Sequence, residues 1–254
     1  MNAVSASRAD NPAANSVNDT STTGRKILVW DAPVRVFHWL MVASFAGAWL
    51  TAESERWRMV HVTLGYTMAG LVAFRILWGL VGTRYARFSS FVRGPAAVKD
   101  YLRGILRGRP AHHTGHNPAG ALAIIALMGL AIAITASGWA TFNDVGGKWL
   151  EEGHEVAATV MLMLVGAHVA GALFSSWLHR ENLIGAMISG RKPGKPEDGI
   201  RRAWHTVAAL MLAAVLGFWW LQYRDAPVGD GLAAAPAAVA VAPAKAPPNQ
   251  HRGD

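Results

Sequence analysis

The stretch "HEVAATVMLMLVGAH" begins on His154 and ends on His168, with an almost wholly apolar run between them. On an α-helix, fourteen residues rise roughly 21 Å and turn about 1400°, which leaves the two imidazoles about 40° apart on one face. Ionisable groups in so apolar a setting are costly and by default mark function. Imidazole carries protons or ligates metals. Two on one face at two depths point to two metal centres, one toward each end of the helix. The same interval separates His61 from Arg75 in a second apolar run.

The elements that must position these residues are membrane spans. Of 254 residues, 52% are hydrophobic and 16% charged, the latter well below the usual quarter. The apolar residues fall in runs of about twenty, the length that crosses a bilayer. Five such spans are expected, over 34–52, 59–81, 118–139, about 154–178 and 203–221. Pro33 suits the first turn of the first helix. Residues 1–24 are small and polar with no apolar core, which reads as a disordered leader rather than a signal peptide. Residues 223–254 are rich in Ala and Pro and read as an extended or disordered tail. There is no cysteine, which excludes disulfides, thiolate metal sites and a covalent c-type haem.

Loop charge orients the spans. The 82–117 loop carries Arg84, Arg87, Arg93, Lys99, Arg103, Arg107 and Arg109 against Asp100, and the 179–202 loop carries Arg180, Arg191, Lys192, Lys195, Arg201 and Arg202. The 53–58 loop is balanced, and 140–153 holds Lys148 against Asp144, Glu151 and Glu152. Positive loops stay cytoplasmic. The N-terminus is therefore expected inside and the C-terminal tail outside, in the periplasm. The net charge of +8 is accounted for by topology, and no nucleic-acid partner is expected.

This topology sorts the histidines by depth. His61 and His154 start spans that run inward and lie at the outer level. His38, near the start of the first span, and His168 lie at the inner level. Each level then has two histidines from different helices, which suits a bis-histidine iron in each of two haems, held by facing helices of a bundle. Arg75 should reach the inner level on the His61 face, where a haem propionate is a natural anion for it. Arg35, one turn before His38, has the same role open to it, or it snorkels to the headgroups. Gly47, Gly65, Gly70 and Gly79 allow close approach of a helix or a flat porphyrin.

The remaining residues carry plainer expectations. A single membrane histidine also serves simply as a hydrogen-bond partner between helices. His112, His113 and His116 are expected at the interface, with a quinone or proton path as the lesser role. His179, His205 and His251 lack depth-matched partners. Trp139, Trp149, Trp204, Trp219 and Trp220 suit aromatic belts. The outer loop "NDVGGKWLEEGHE" is an ordinary solvated loop or an acidic docking patch for a basic partner.

The segments "PVRVFHW", "VHVTLGY", "FRILWGLVG" and "HEVAATVMLMLVGAH" together resemble the bacterial cytochrome b561 family and the related b-type cytochrome subunit of membrane-bound nickel–iron hydrogenases. The resemblance covers about residues 27–190. It implies a four-helix bundle holding two b haems between quinone and another redox partner, with His38, His61, His154 and His168 as the haem ligands. It does not reach the leader, the fifth span or the tail. The expected fold is thus all-α: an integral-membrane helical bundle with a four-helix dihaem core over 25–190, then a basic loop and fifth transmembrane helix over 191–222.

The resulting expectation is a bacterial inner-membrane cytochrome relaying electrons between a quinone pool and a c-type cytochrome or hydrogenase-like complex, with no catalytic side chain of its own. Two other readings stay open. One is a self-contained oxidoreductase, such as a superoxide:quinone oxidoreductase, which would use the same ligands. The other is a cofactor-free transporter or scaffold whose histidines handle protons or a metal ion. Against the latter, the spans hold no buried Asp or Glu beyond Glu155, and metal transport usually wants ligands gathered in one place.

Overall fold

Asp31-Ala-Pro opens the first long helix because an Asp side chain satisfies an orphan amide while Pro supplies a preset φ and no N–H to strand. The computed structural model describes residues 25–108, 111 and 113–225. In it Asp31 caps α1 (Ala32–Thr51), its carboxylate accepting from Val34 N at 2.9 Å. A short strand, β1 (Lys26–Leu28), precedes it. After a 3₁₀ turn at Glu55–Trp57 comes α2 (Arg58–Val81), then the short α3 (Phe88–Phe91) and α4 (Pro95–Leu106). Asn117 caps α5 (Pro118–Phe142) by accepting from Gly120 N, again with Pro in the first turn. Next come α6 (Lys148–His179), α7 (Leu183–Ser189), β2 (Arg191–Pro193) and α8 (His205–Arg224).

Five helices, α1, α2, α5, α6 and α8, are long and apolar enough to cross a membrane. Their outward faces carry bare apolar side chains, such as Leu77 at 65% exposed and Leu210 at 66%, as a lipid-facing surface requires. The all-α membrane bundle is the observed fold, with all five spans where the apolar runs place them. The leader, the tail beyond Asp225, Arg109, His112 and His251 lie outside the described residues.

Differences lie between the spans. Helix α6 starts at Lys148, several residues before the apolar run, because "KWLEEGHE" is a good helix former despite its charge. The 82–117 segment, expected as loop, contains α3 and α4. The second of these mixes apolar Val98, Tyr101 and Ile105 with Lys99 and Arg103 at helical spacing. The 179–202 segment holds α7 and β2, and β2 pairs antiparallel with β1 through Ile27 opposite Lys192. Gly190 makes this possible: it adopts φ 78° and its carbonyl accepts from both Val29 N and Trp30 N. β1, β2, α3 and α7 thereby form a cap over the end of the bundle that carries His38 and His168, called the inner end here after the expected topology. Its own small core is Ile27, Val29, Trp30, Tyr85 and Ala186.

Packing runs as a chain of neighbours: α8 on α1, α1 on α2, α2 on α5, α5 on α6. The fifth span belongs to the bundle. Trp219 leaves the expected aromatic belt and donates its Nε1–H to Thr67 Oγ at 2.9 Å, while Trp139, Trp149, Trp204 and Trp220 do lie exposed.

Candidate cofactor site

The outer level is assembled by α2 and α6. His61 stands one turn into α2 and His154 in the second turn of α6, and their ring centroids are 6.2 Å apart at 73°. Each ring is oriented by a backbone carbonyl. His61 Nδ1 donates to Ala48 O at 2.8 Å, and His154 Nδ1 to Ile134 O at 3.1 Å, with Ser137 Oγ at 3.2 Å. A carbonyl only accepts, so Nδ1 carries the proton in both rings and Nε2 keeps its lone pair for a metal. Gly138 makes room for this: a Cβ there would stand 2.9 Å from His154 Cε1.

Seven residues beyond His154 and seven before His168 lies Met161, the one buried side chain of α6. It packs with Val72, Ala131 and Ile134, flanked by Met41 and Phe45. Seven residues rise about 10.5 Å, so this cluster is an apolar septum between the two levels.

At the inner level, His38 on α1 and His168 on α6 are close enough to influence each other electrostatically. His38 Nδ1 is sealed from solvent without a hydrogen-bond partner among the described residues, as is Arg35 Nε. Arg35 NH1 meanwhile donates to Ile188 O of α7 at 2.6 Å, so this arginine is held by the cap rather than snorkelling outward. Arg75 is buried at 3% exposure. It donates to Ala86 O at 3.0 Å, and its guanidinium lies 5.0 Å from the Phe88 ring and 6.0 Å from Phe91.

The four glycines expected to admit a helix or a porphyrin divide. Gly47 meets Leu64 and Gly79 meets the Phe88 ring, so these two serve protein packing. Gly65 and Gly70 face open space, and Gly65 lies one turn from His61 on the same face. Helix α6 has its principal helix contacts with α5 and α7 only. Its histidine face is filled at the middle by Met161 against side chains of α1 and α2, so a flat group between α6 and the α1–α2 pair would lie on either side of that layer.

Three further features escaped the sequence reading. Asp31, 1% exposed, accepts from Trp78 Nε1 at 3.0 Å and Thr83 Oγ at 2.7 Å as well as capping α1. It ties α1, α2 and the cap together. Lys192, 4% exposed, pairs with Glu181 at 2.8 Å and reaches the carbonyls of His113 and Thr114. His116, expected merely at the interface, has its ring packed between Trp30 and Phe91, with centroids at 4.5 and 4.7 Å. The residue keeps some surface, but its Nδ1 has none and finds no partner among the described residues. Burial, with Arg75, His168 and Lys192 nearby, holds His116 below the usual imidazole range, so the ring is neutral. The "DAP" capping pattern was a usable signal for Asp31. Lys192 and His116 had none, since both are placed by tertiary contact.

Chemically, the outer pair is two opposed imidazoles with free Nε2 atoms. A nitrogen–metal bond of about 2 Å on each side of one ion brings two imidazole centroids to about 6 Å. Comparison with known proteins gives the family. A family profile described as prokaryotic cytochrome b561 matches residues 29–190. Three relatives are each described as a probable Ni/Fe-hydrogenase B-type cytochrome subunit, that of Escherichia coli being numbered 1. The Rhizobium leguminosarum bv. viciae protein is 22% identical over 231 residues, covering 73% of this chain and 97% of the relative. The Escherichia coli K12 protein is 23% identical over 215 residues, covering 66% and 91%. The Azotobacter vinelandii protein is 25% identical over 209 residues, covering 65% and 87%. No solved structure matches the chain at a significant level. With a profile match across most of its length and five apolar spans, the chain belongs to the prokaryotic cytochrome b561 family, the membrane-bound b-type cytochromes of electron transfer.

Proposed function

We propose that this protein is a dihaem cytochrome carrying electrons across the bacterial inner membrane between a quinone pool and the catalytic subunits of a hydrogenase-like complex. The observation that carries the reading is the outer pair: two imidazoles at 6.2 Å, each fixed by a carbonyl so that Nε2 is free. A haem b at each level would supply a one-electron iron centre, and two centres stacked across the bilayer make a relay.

The chain's own residues do the rest. His61 and His154 hold the outer haem, and His38 and His168 the inner one. Ala48, Ile134 and Ser137 orient the outer imidazoles and raise their basicity. Arg35 and Arg75 offer the inner propionates a cationic edge. The Met161 layer separates the two centres and excludes water. Loop charge supports the N-terminus inside and the C-terminus outside. The hydrogenase partner is supported by the names of the relatives, and α8 adds a membrane surface for such a subunit.

The test is a pyridine haemochrome assay on the detergent-purified chain. Two b haems per polypeptide are expected; none, in folded protein made with ample haem, would overturn the reading. The partner is tested by co-purification and hydrogen-dependent haem reduction in membranes. A cytochrome reduced only by quinol, with no hydrogenase recovered, would remove the partner from the proposal.

A further inference from the structure

Nothing in the expected ligand set explains His116. It is the residue before the α5 N-cap, at the inner end of the bundle, and it belongs to no span. Its imidazole is clamped between Trp30 of the cap and Phe91 of α3, which prevents it from swinging out to water. Yet Nδ1 is sealed from solvent and finds no acceptor among the described residues. Leaving a buried polar group unpaired costs free energy, so such a group usually marks something that binds there.

Its surroundings say what that is. Arg75 and His168 are both close enough to act on its charge. Arg35, on the same inner level, also presents a sealed Nε with no acceptor. Arg35 Nε is a donor, and the neutral His116 ring offers a second when its proton sits on Nδ1, so both can serve an anion at this end of the bundle. Lys192 is already paired with Glu181 and does not need the missing acceptor. An anion with several oxygens, lying beside His168, would satisfy both orphans at once.

We infer that His116 is a positioning residue of the inner haem, its Nδ1–H donating to a propionate that Arg35 and Arg75 also face. This rests on the dihaem reading above. It adds a group supplied by the loop before α5 to a site otherwise built from spans. A donor on the propionate offsets part of its negative charge, which makes the ferric state less favoured and raises the inner potential. The aromatic clamp fixes that donor, so the effect requires the hydrogen bond and not merely a ring.

The measurement is a redox titration of the purified two-haem chain, with the inner component assigned by its loss in His38→Ala. In His116→Phe, a ring that fits between Trp30 and Phe91 but donates nothing, the inner potential is expected to fall by roughly 59 mV, a tenfold shift in a one-electron equilibrium. The outer potential stays put. His116→Gln keeps an N–H and is expected to hold the inner potential near the unmodified value. An unchanged inner potential in His116→Phe overturns the inference, as does an equal shift in both variants, which would mean packing alone. His116→Leu replaces the phenylalanine chain if that does not accumulate, and loss of haem in every variant likewise indicates a purely structural residue. An unmodified chain holding fewer than two haems would instead defeat the dihaem reading, so the two failures are distinguishable.

Discussion

The two levels of the molecule are built differently. At the outer level both imidazoles are oriented by main-chain carbonyls of the spans themselves, Ala48 on α1 and Ile134 on α5. Nothing outside the bundle is needed. At the inner level His38 Nδ1 has no partner among the described residues, and the polar groups come from a cap of short elements: Ile188 of α7, Ala86 before α3, Lys192 of β2 and His116 before α5. The outer site is thus set by helix packing and the inner site by tertiary contact with a soluble edge. The charges differ as well: the anionic Glu155 acts on the outer ring of His154, whereas the cationic Arg75 acts at the inner level, on His116. Under the proposed dihaem reading, this asymmetry would give the two centres different environments and hence different potentials.

The strongest way to break the comparison is to remove one level at a time. His61→Ala or His154→Ala is expected to take the haem content from two per chain to one, with the inner component's spectrum retained. His38→Ala or His168→Ala is expected to do the reverse. Haem content and low-temperature spectra of the four variants check this. If any single change abolished both haems in folded protein, the levels would not be separate sites.

A second change targets the cap. Lys192 and Glu181 form an ion pair at 4% and 11% side-chain exposure. Removing one partner of a buried pair costs about 3–5 kcal/mol, whereas replacing both often costs little. Lys192→Met is expected to lower the thermal unfolding midpoint in detergent sharply and to disturb the inner haem spectrum first. Lys192→Met with Glu181→Gln should recover much of the loss. An outer haem disturbed before the inner one would mean that the cap supports the whole bundle rather than its inner end.

Gly138→Ala sharpens the outer half. The added methyl would lie 2.9 Å from Cε1 and 3.2 Å from Nδ1 of His154, so the ring or α5 must shift. Overpacking of this kind costs typically 1–3 kcal/mol. A changed electron paramagnetic resonance signal from the outer haem alone is expected. Gly47→Ala is its control, because there the neighbour is the end of the flexible Leu64 side chain.

The same asymmetry decides what was legible in the sequence. A fourteen-residue interval in an apolar helix needs only helical periodicity to place His154 and His168, and His61 meets His154 where that depth assignment puts it. Asp31 was within reach through its cap pattern, but its bonds to Trp78 and Thr83, 47 and 52 residues away, were not. The cap was illegible for a physical reason. Its strands are three residues long, too short to show alternation, and α4 reads as basic loop because Lys99, Asp100 and Arg103 interrupt an apolar pattern only twelve residues long and set in an arginine-rich segment. His116 is next to a helix cap, where a histidine has no periodicity to betray its direction. Trp219 shows the opposite error. Its place near the end of a span reads as a belt residue until Thr67 proves to be its partner.

The smallest expected effect tests the comparison most finely. Ser137 Oγ lies 3.2 Å from His154 Nδ1, but it also donates to Ala133 O at 2.8 Å, and Ile134 O already accepts from the same imidazole at 3.1 Å. Ser137→Ala therefore removes a redundant contact, and an intramolecular hydrogen bond is worth only about 0.5–1.5 kcal/mol when nothing is left unpaired. Haem content is expected to stay at two and the outer potential to move far less than the inner one does in His116→Phe. A large outer shift would show that the hydroxyl, and not the carbonyl, orients His154. The outer level would then depend on a side chain as the inner one does, and the contrast between a site fixed by main chain and a site fixed by a cap would fall.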